Sequence, residues 1–371
     1  MEALASPIRP YAWGSRTVIA GIQGRPVPSD GPEAELWIGA HPGDPSTIDG
    51  VSLADRVTAE PERLLGPAVA ARFDARLPYL VKILAAAAPL SLQAHPDEAQ
   101  ARARFAAGHP SYVDAHHKPE MLVAVSDFEA LCGFRDPLAA ADSLAALDVS
   151  TLEPVVAALR AGDLRTALRA LLEWPQTDRP SLVEAAVAAP GAPDLVRQLA
   201  AHYPGDPGVL VALLLNHVTL APGEAIWMPA GNLHAYLRGT GIEIMAASDN
   251  VLRGGLTPKH VDVPELLDVL RFEALVDPVV PAVPVAPGVV TWRAPVAEFA
   301  LHRVRPVEAG GPVTLDVSGP RVVLCIAGEV VADDGAASVK LPAGYAAFGA
   351  AGAGPVIVAG AGEAFVASVP A

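Results

Sequence analysis

The sequence predicts a mainly β protein with a helical insertion, two β-barrel domains plus an α-helical domain, in a chain of 371 residues. Three observations carry this. Short apolar runs broken by Gly and Pro recur through most of the chain, from "AELWIGAHP" to "PRVVLCIAGEVVADDGAASVKLPAGYAAF", the pattern of short strands closed into sandwiches or barrels. Between 137 and 203 the pattern changes to Ala and Leu at helical spacing, in "PLAAADSLAALDVSTLEPVVAALRAGDLRTALRALLEW" and "SLVEAAVAAPGAPDLVRQLAAHY". The length also exceeds the roughly 250–300 residues at which a single core stops growing, so more than one core is expected.

Taken in order, residues 1–136 give the first part of a principal barrel, 137–205 the helical insertion, 206–265 the second part of that barrel, and 266–371 a C-terminal β domain. Within the first part, "RLLGPAVAARFDARL" and "PDEAQARARFAAG" interrupt the strands as helices. "DVST" and "RPS" are the expected cap regions of the insertion. Strands and turns resume at Val209, and "VPELLDVLRF" reads as one more helix. A faint repeat links "PGEAIWMPAGNLHAYL" at 222–237 with "VKLPAGYAAFGA" at 339–350, each an apolar stretch, then Pro-Ala-Gly, then more apolar residues. The second copy has no histidine where the first has His234, which suggests a related barrel without a metal.

A hydrophobic content of 51% with 32 Gly and 37 Pro fits a well-packed globular chain rather than a disordered one. The formal charge of -15 argues against nucleic acid or an anionic membrane as partner, since both require clustered basic surface. An anionic small substrate would need a locally positive pocket. Cys132 and Cys325 lack CxxC spacing and read as buried thiols in a reducing cytoplasm. The N-terminal "MEALASPIRPYAWGSR" has no signal-peptide pattern, and no apolar run reaches the ~18 residues of a membrane helix, so a soluble cytoplasmic protein is expected.

The chemistry concentrates in three blocks. In "SLQAHPDEAQA", Gln93 and His95 end a long apolar run, and residues two apart on a strand face the same way, so both side chains would enter one space. In "HHKPEML", Glu120 opens an apolar strand, where a carboxylate requires a partner. The segment from Gly223 through Pro229 and Gly231 to His234 matches the second metal motif of the cupin barrel, a Pro/Gly turn that aims a histidine into the barrel mouth. Gln93, His95, Glu120 and His234 together offer two nitrogens and two oxygens, a set suited to zinc with open positions.

Only four of the 26 basic residues are lysines, and Lys82, Lys118 and Lys259 fall in these motif segments. Lys82 sits inside "YLVKILA", poor company for a surface residue. "GIEIMAASDNVLRGGLTPKHVDV" adds Glu243, Asp249, Asn250 and Arg253 around a Gly-Gly loop, and Arg253 with Lys259 would supply positive charge for a phosphate.

Together, "YAWGSR", "AELWIGAHP", "PLSLQAHPD", "HKPEM", "FEALCGF", "PAGNLHAYL" and "ASDNVLRGGLTPKHVDV" resemble type I mannose-6-phosphate isomerase, in the family's order over about the first 265 residues. Ile38 and Ala247 stand where that family often has methionine and asparagine, and neither is a proposed ligand. The resemblance implies two cupin-like jelly-roll barrels, one zinc per chain, and interconversion of mannose 6-phosphate and fructose 6-phosphate through an enediol. It implies zinc on Gln93, His95, Glu120 and His234, and a catalytic role for Arg253. The base candidates are Glu243, His117 and Lys118; Lys82, Ser91 and Lys259 are expected to contact phosphate, and Trp13 to wall the pocket. The expected partner is a phosphosugar, met by a monomer or weak homo-oligomer. A metal-dependent cupin oxygenase and a non-catalytic sugar-phosphate-binding cupin are the competing readings.

Overall fold

The computed structural model describes residues 1–370. Its first barrel is an eleven-stranded assembly in which two sheets share one long strand, His234–Ala246. The near end of that strand pairs with Gln93 and with Phe128–Phe134; the far end pairs with Tyr79–Ala86 and Glu120–Ala124. The switch falls at Gly239, whose φ of +128° suits glycine and where a Cβ would lie 2.6 Å from the Asp127 carbonyl oxygen. One strand therefore carries His234 in one sheet and Glu243 in the other.

Strand alternation sorts the apolar run of Tyr79–Ala86 into two destinations. Tyr79, Val81, Ile83 and Ala85 point outward into a core shared with the second barrel. Leu80, Lys82 and Leu84 point inward. The shared core sets Leu36, Ile38, Ile242 and Ile244 against Trp292, Leu301, Val322, Leu324 and Phe365 of the second barrel, so two sheets are glued face to face.

The second barrel packs a seven-stranded sheet on a four-stranded one around an interior of Val, Leu, Ala and Cys325. Its seven-stranded sheet includes Glu2–Leu4, which pairs with Ala346–Gly349. The chain's first strand thus joins this sheet, although the sequence reading places it with the first barrel. Both Pro-Ala-Gly segments are strand, turn, strand, with Gly231 and Gly344 at φ +77° and +81°.

The helical segment contains Pro137–Ala145, Glu153–Arg160, Leu164–Leu172, Arg179–Ala188 and Asp194–His202, whose buried Leu and Val side chains form one cluster with the strand side of the barrel. The expected caps in "DVST" and "RPS" make no cap hydrogen bond; Asp136 and Asp163 cap helices instead, accepting from the Ala139 and Thr166 amides. Their carboxylates reach the third amide of a helix directly, whereas "DVST" is taken up by a 3-10 turn, Ser150–Leu152. The helix in "VPELLDVLRF" runs Val263–Val269, capped by Asp262. Among the described residues, no helix is long and apolar enough to cross a membrane.

Candidate metal centre and active-site cavity

A cavity of about 660 Å³ opens at the mouth of the first barrel. Glu120 lines its buried end, and beside it lie His95 and His234, three strand-borne or strand-end residues in one cluster. His95 follows the strand Leu92–Ala94, Glu120 begins Glu120–Ala124, and His234 begins His234–Ala246. All three are buried, and their donor atoms lie within 4.8 Å of one another.

The hydrogen bonds around the histidines decide what this cluster can hold. His95 Nδ1 lies 2.7 Å from the Asn250 carbonyl oxygen, and His234 Nδ1 3.0 Å from that of Asn232. A carbonyl only accepts, so each Nδ1 carries the proton and each Nε2 presents a lone pair. Both lone pairs face Glu120 Oε2 at 3.2 Å. Among the described residues, His234 Nε2 is left as a buried atom without a hydrogen-bond partner. Three electron-pair donors converging on one point, with the second ring nitrogens already anchored, is an arrangement a cation completes. The residues therefore fit a metal.

Gln93 stands in register opposite both His234 and Arg253, half-buried, with its amide free of side-chain hydrogen bonds among the described residues. The strand ends at Ala94, so His95 reaches the cluster from just beyond it.

Burial holds the His95 imidazole below its ordinary value, with Lys118 reinforcing this against the pull of Glu120. For Glu120, burial alone would raise the pKa; the Lys118 ammonium, 3.0 Å away, leads the interactions that overcome it and hold the carboxyl well below the usual range.

The opposite wall is a second polar network. Lys82 and Glu243 are register partners on adjacent strands, with Nζ to Oε2 at 2.8 Å, and Glu35 Oε1 is 3.5 Å from the same ammonium. The Tyr236 hydroxyl donates to the other Glu243 oxygen at 2.7 Å, and the Trp37 indole donates to Glu35 at 2.7 Å. Burial opposes the charge on Lys82, but Glu243 and Glu35 outweigh it and raise its pKa above the ordinary lysine value. Glu35, Trp37 and Tyr236 escaped the sequence reading; the same signal that exposed Glu120, an acid inside the apolar strand of "AELWIG", marks Glu35.

Most of the expected site residues line this one cavity: Trp13, Lys82, Ser91, Gln93, Lys118, Glu120, Glu243, Arg253 and Lys259. Trp13 stacks on Tyr11 with ring centroids 5.7 Å apart. Arg253 and Lys259 make no ion pair among the described residues, Arg253 half-buried and Lys259 exposed at the rim. The helical segment contributes Tyr203, whose hydroxyl donates to the Pro89 carbonyl at 2.6 Å. His117 does not join them. It lines a separate pocket of about 260 Å³, and its Nε2 is 2.8 Å from Glu298 Oε1.

A barrel that brings a turn-borne histidine to a second histidine and a glutamate at its mouth is a cupin with a metal-type donor set. The family model for the catalytic domain of type I phosphomannose isomerase matches residues 1–137. Mannose-6-phosphate isomerase of Escherichia coli K12 is 36% identical over 98% of this chain and 98% of its own, and that of Candida albicans is 33% identical over 92% and 91%. The chain belongs to the type I mannose-6-phosphate isomerase family. Among solved structures, a zinc-bound mannose 6-phosphate isomerase matches with a TM-score of 0.90 and 32% identity over 100% of this chain and 99% of that one. A mutant of phosphomannose isomerase from Salmonella typhimurium gives a TM-score of 0.91 at 33% identity over 100% and 99%.

Proposed function

We propose that the protein is a zinc-dependent aldose-ketose isomerase interconverting mannose 6-phosphate and fructose 6-phosphate through an enediol. The observation that carries this reading is a donor set able to hold a cation, adjoining through Glu120 a cavity whose Arg253 and Lys259 make no ion pair among the described residues and suit an anionic sugar. The names of the relatives and the zinc in the matching structures support the choice of substrate and metal.

His95, Glu120 and His234 would hold zinc, with Gln93 as a further donor; when bound, zinc supplies Lewis-acid polarisation of the substrate oxygens. The reaction moves a proton from C2 of the open-chain aldose to C1, while the hydroxyl proton passes between O2 and O1 and the carbonyl shifts to C2. Glu243 takes the C2 proton, because it is a cavity carboxylate whose two oxygens are fixed in place by Lys82 and Tyr236. Arg253 and Lys118 face the oxygens that gain negative charge as that proton leaves.

Lys259 and Ser91 bind the phosphate at the open end. Lys82 is committed to two carboxylates, so its part is to orient Glu243 rather than to reach phosphate. Trp13 walls the sugar. His117 is set aside as the base because it lies outside the cavity. Two buried free thiols, Cys132 and Cys325, support residence in a reducing cytoplasm.

The test is interconversion of the two phosphosugars by purified protein, before and after chelation and with zinc restored. Turnover should vanish with chelation and return with zinc. A zinc-loaded protein with no turnover overturns the reading.

A further inference from the structure

We infer that Glu298, contributed by the second barrel, is a positioning residue for the active site of the first; only the activity readout of this inference rests on the isomerase reading above.

Residues 113–119 form neither helix nor strand, yet they deliver Lys118 to the cavity and lead into Glu120. A segment without a ladder is held by the bonds it finds outside itself; its end has one backbone bond, from the Ala246 amide to the Pro119 carbonyl at 3.0 Å. Its start is held: Asn250 accepts from the Val113 amide at 2.9 Å and donates to the Asp114 and His116 carbonyls at 2.9 and 2.8 Å. At His117 two tethers meet. The backbone amide donates to Glu98 Oε2 at 2.9 Å, and the imidazole is gripped by Glu298 at 2.8 Å. That grip is the last side-chain hydrogen bond on the segment before Lys118, whose ammonium lies 3.0 Å from Glu120 Oε1.

Glu298 is held in turn by its surroundings in the second barrel. It sits in the hairpin between Val289–Trp292 and Ala300–Val304, both strands of the second barrel. Its Oε2 accepts from the Ala297 amide at 3.1 Å. The next residue, Phe299, is buried in the core between the barrels, where its ring packs edge-on against Trp227 at 6.3 Å. The His117 and Glu298 side chains are only 27% and 15% exposed, so water competes weakly for the bond. The second barrel thus reaches across to fix the residue next to a cavity lysine, which gives that barrel a part in catalysis without placing any atom in the cavity.

The experiment compares the wild-type protein with Glu298→Ala and Glu298→Gln. In Glu298→Ala, kcat should fall about tenfold, with KM changing less than about threefold and the metal content unchanged. Amide hydrogen exchange should quicken in peptides covering 113–119 and stay as in the wild type in the helices at 153–172. Glu298→Gln should restore most of both, because its amide oxygen accepts the same ring N–H. Wild-type kcat and wild-type exchange at 113–119 in Glu298→Ala overturn the inference. If Glu298→Ala does not fold, His117→Ala removes the bond from the other side and must quicken the same exchange; unchanged exchange overturns it equally. Absence of isomerase activity in the wild type would sink the functional reading alone, and the exchange comparison then decides on Glu298.

Discussion

In the first barrel a strand, the turn Pro229-Ala230-Gly231 and a second strand bring His234 to the interior; in the second barrel Pro342-Ala343-Gly344, at the same spacing, bring Ala347. Ala347 lies fully buried among Val323, Cys325 and Val366. His234 lies equally buried, but against Glu120 and within a mouth that also holds Lys82, Glu35 and Glu243. The hairpin is common to both; charge is buried beside its tip in the first barrel only, the second keeping its buried charges at Arg321 and in the pair of Asp334 with the Met1 amino group. Buried ions are costly unless paired, so a scaffold without a ligand to bind has physical reason to be filled with Val and Ala. The second barrel shows what the hairpin looks like when only packing is asked of it.

Making the first barrel resemble the second at this position is the most damaging change. His234→Ala should lower turnover by about 10²–10³-fold or more, as loss of a fixed electrostatic element does, and metal content measured on the purified protein should fall with it. The reciprocal Ala347→His should bind no metal, since no carboxylate faces it, and should cost about 1–3 kcal/mol in urea unfolding through overpacking. A metal bound at Ala347→His would show that the hairpin, rather than its partners, makes the site.

The Lys82 network sharpens the contrast in stability. Lys82→Met leaves Glu243 and Glu35 without their cation, and removing one partner of a buried pair costs about 3–5 kcal/mol. Adding Glu243→Leu should recover part of that stability, because an apolar pair of similar volume is tolerated in a barrel interior, while turnover stays lost. A double variant no more stable than Lys82→Met would mean that Glu35 and Tyr236, not Glu243, carry the penalty.

Smaller effects are expected where the two barrels meet. Burial opposes the charge on both His117 and Glu298, yet their hydrogen bond raises the first pKa and lowers the second. A raised histidine contributes stability fully present below its unfolded value of 6.5 and lost as pH rises through the higher folded value. A lowered carboxyl contributes above its unfolded 4.5 and loses that contribution as pH falls through the folded value. The wild type should therefore exceed Glu298→Gln in stability most between pH 4.5 and 6.5, by no more than about 1 kcal/mol for a partly exposed pair. A difference that grows above pH 8 would contradict this.

What could be read without coordinates follows from how local each signal is. Glu120 and Lys82 betray themselves by sitting in apolar strands, and His234 by a turn whose spacing is fixed within a few residues. Gln93 and His95 share the site, although the strand ends between them. Glu35 carries the same signal as Glu120, whereas Tyr236 sits in an apolar stretch that does not mark it, its role set by the Glu243 it bonds. His117 is different: its neighbours in sequence point to the cavity, but its ring turns to a glutamate in the other barrel, and no local pattern encodes such a long-range pair. The same holds for Glu2–Leu4, whose partner strand lies at the far end of the chain. Cap positions failed for a milder reason, since Asp, Ser and Thr near a helix start compete for the same amides.

One thiol in each barrel offers the finest test of whether the barrels are separate units. Burial pushes Cys132 and Cys325 up to about 11, so at pH 8 both stay protonated and react only when the surrounding structure opens. Cys132 lies directly opposite His234 in the strand register, whereas Cys325 lies in the apolar interior of the second barrel. Metal bound to the native state stabilises what it touches by mass action. Removing it should therefore speed labelling at Cys132, read by mass spectrometry at sub-denaturing urea, by about tenfold, and leave the rate at Cys325 unchanged. Equal acceleration at both thiols would show that the shared core of Ile83, Ile242, Trp292 and Phe365 makes the two barrels open as one, and the division of labour between them would then be one of chemistry without being one of stability.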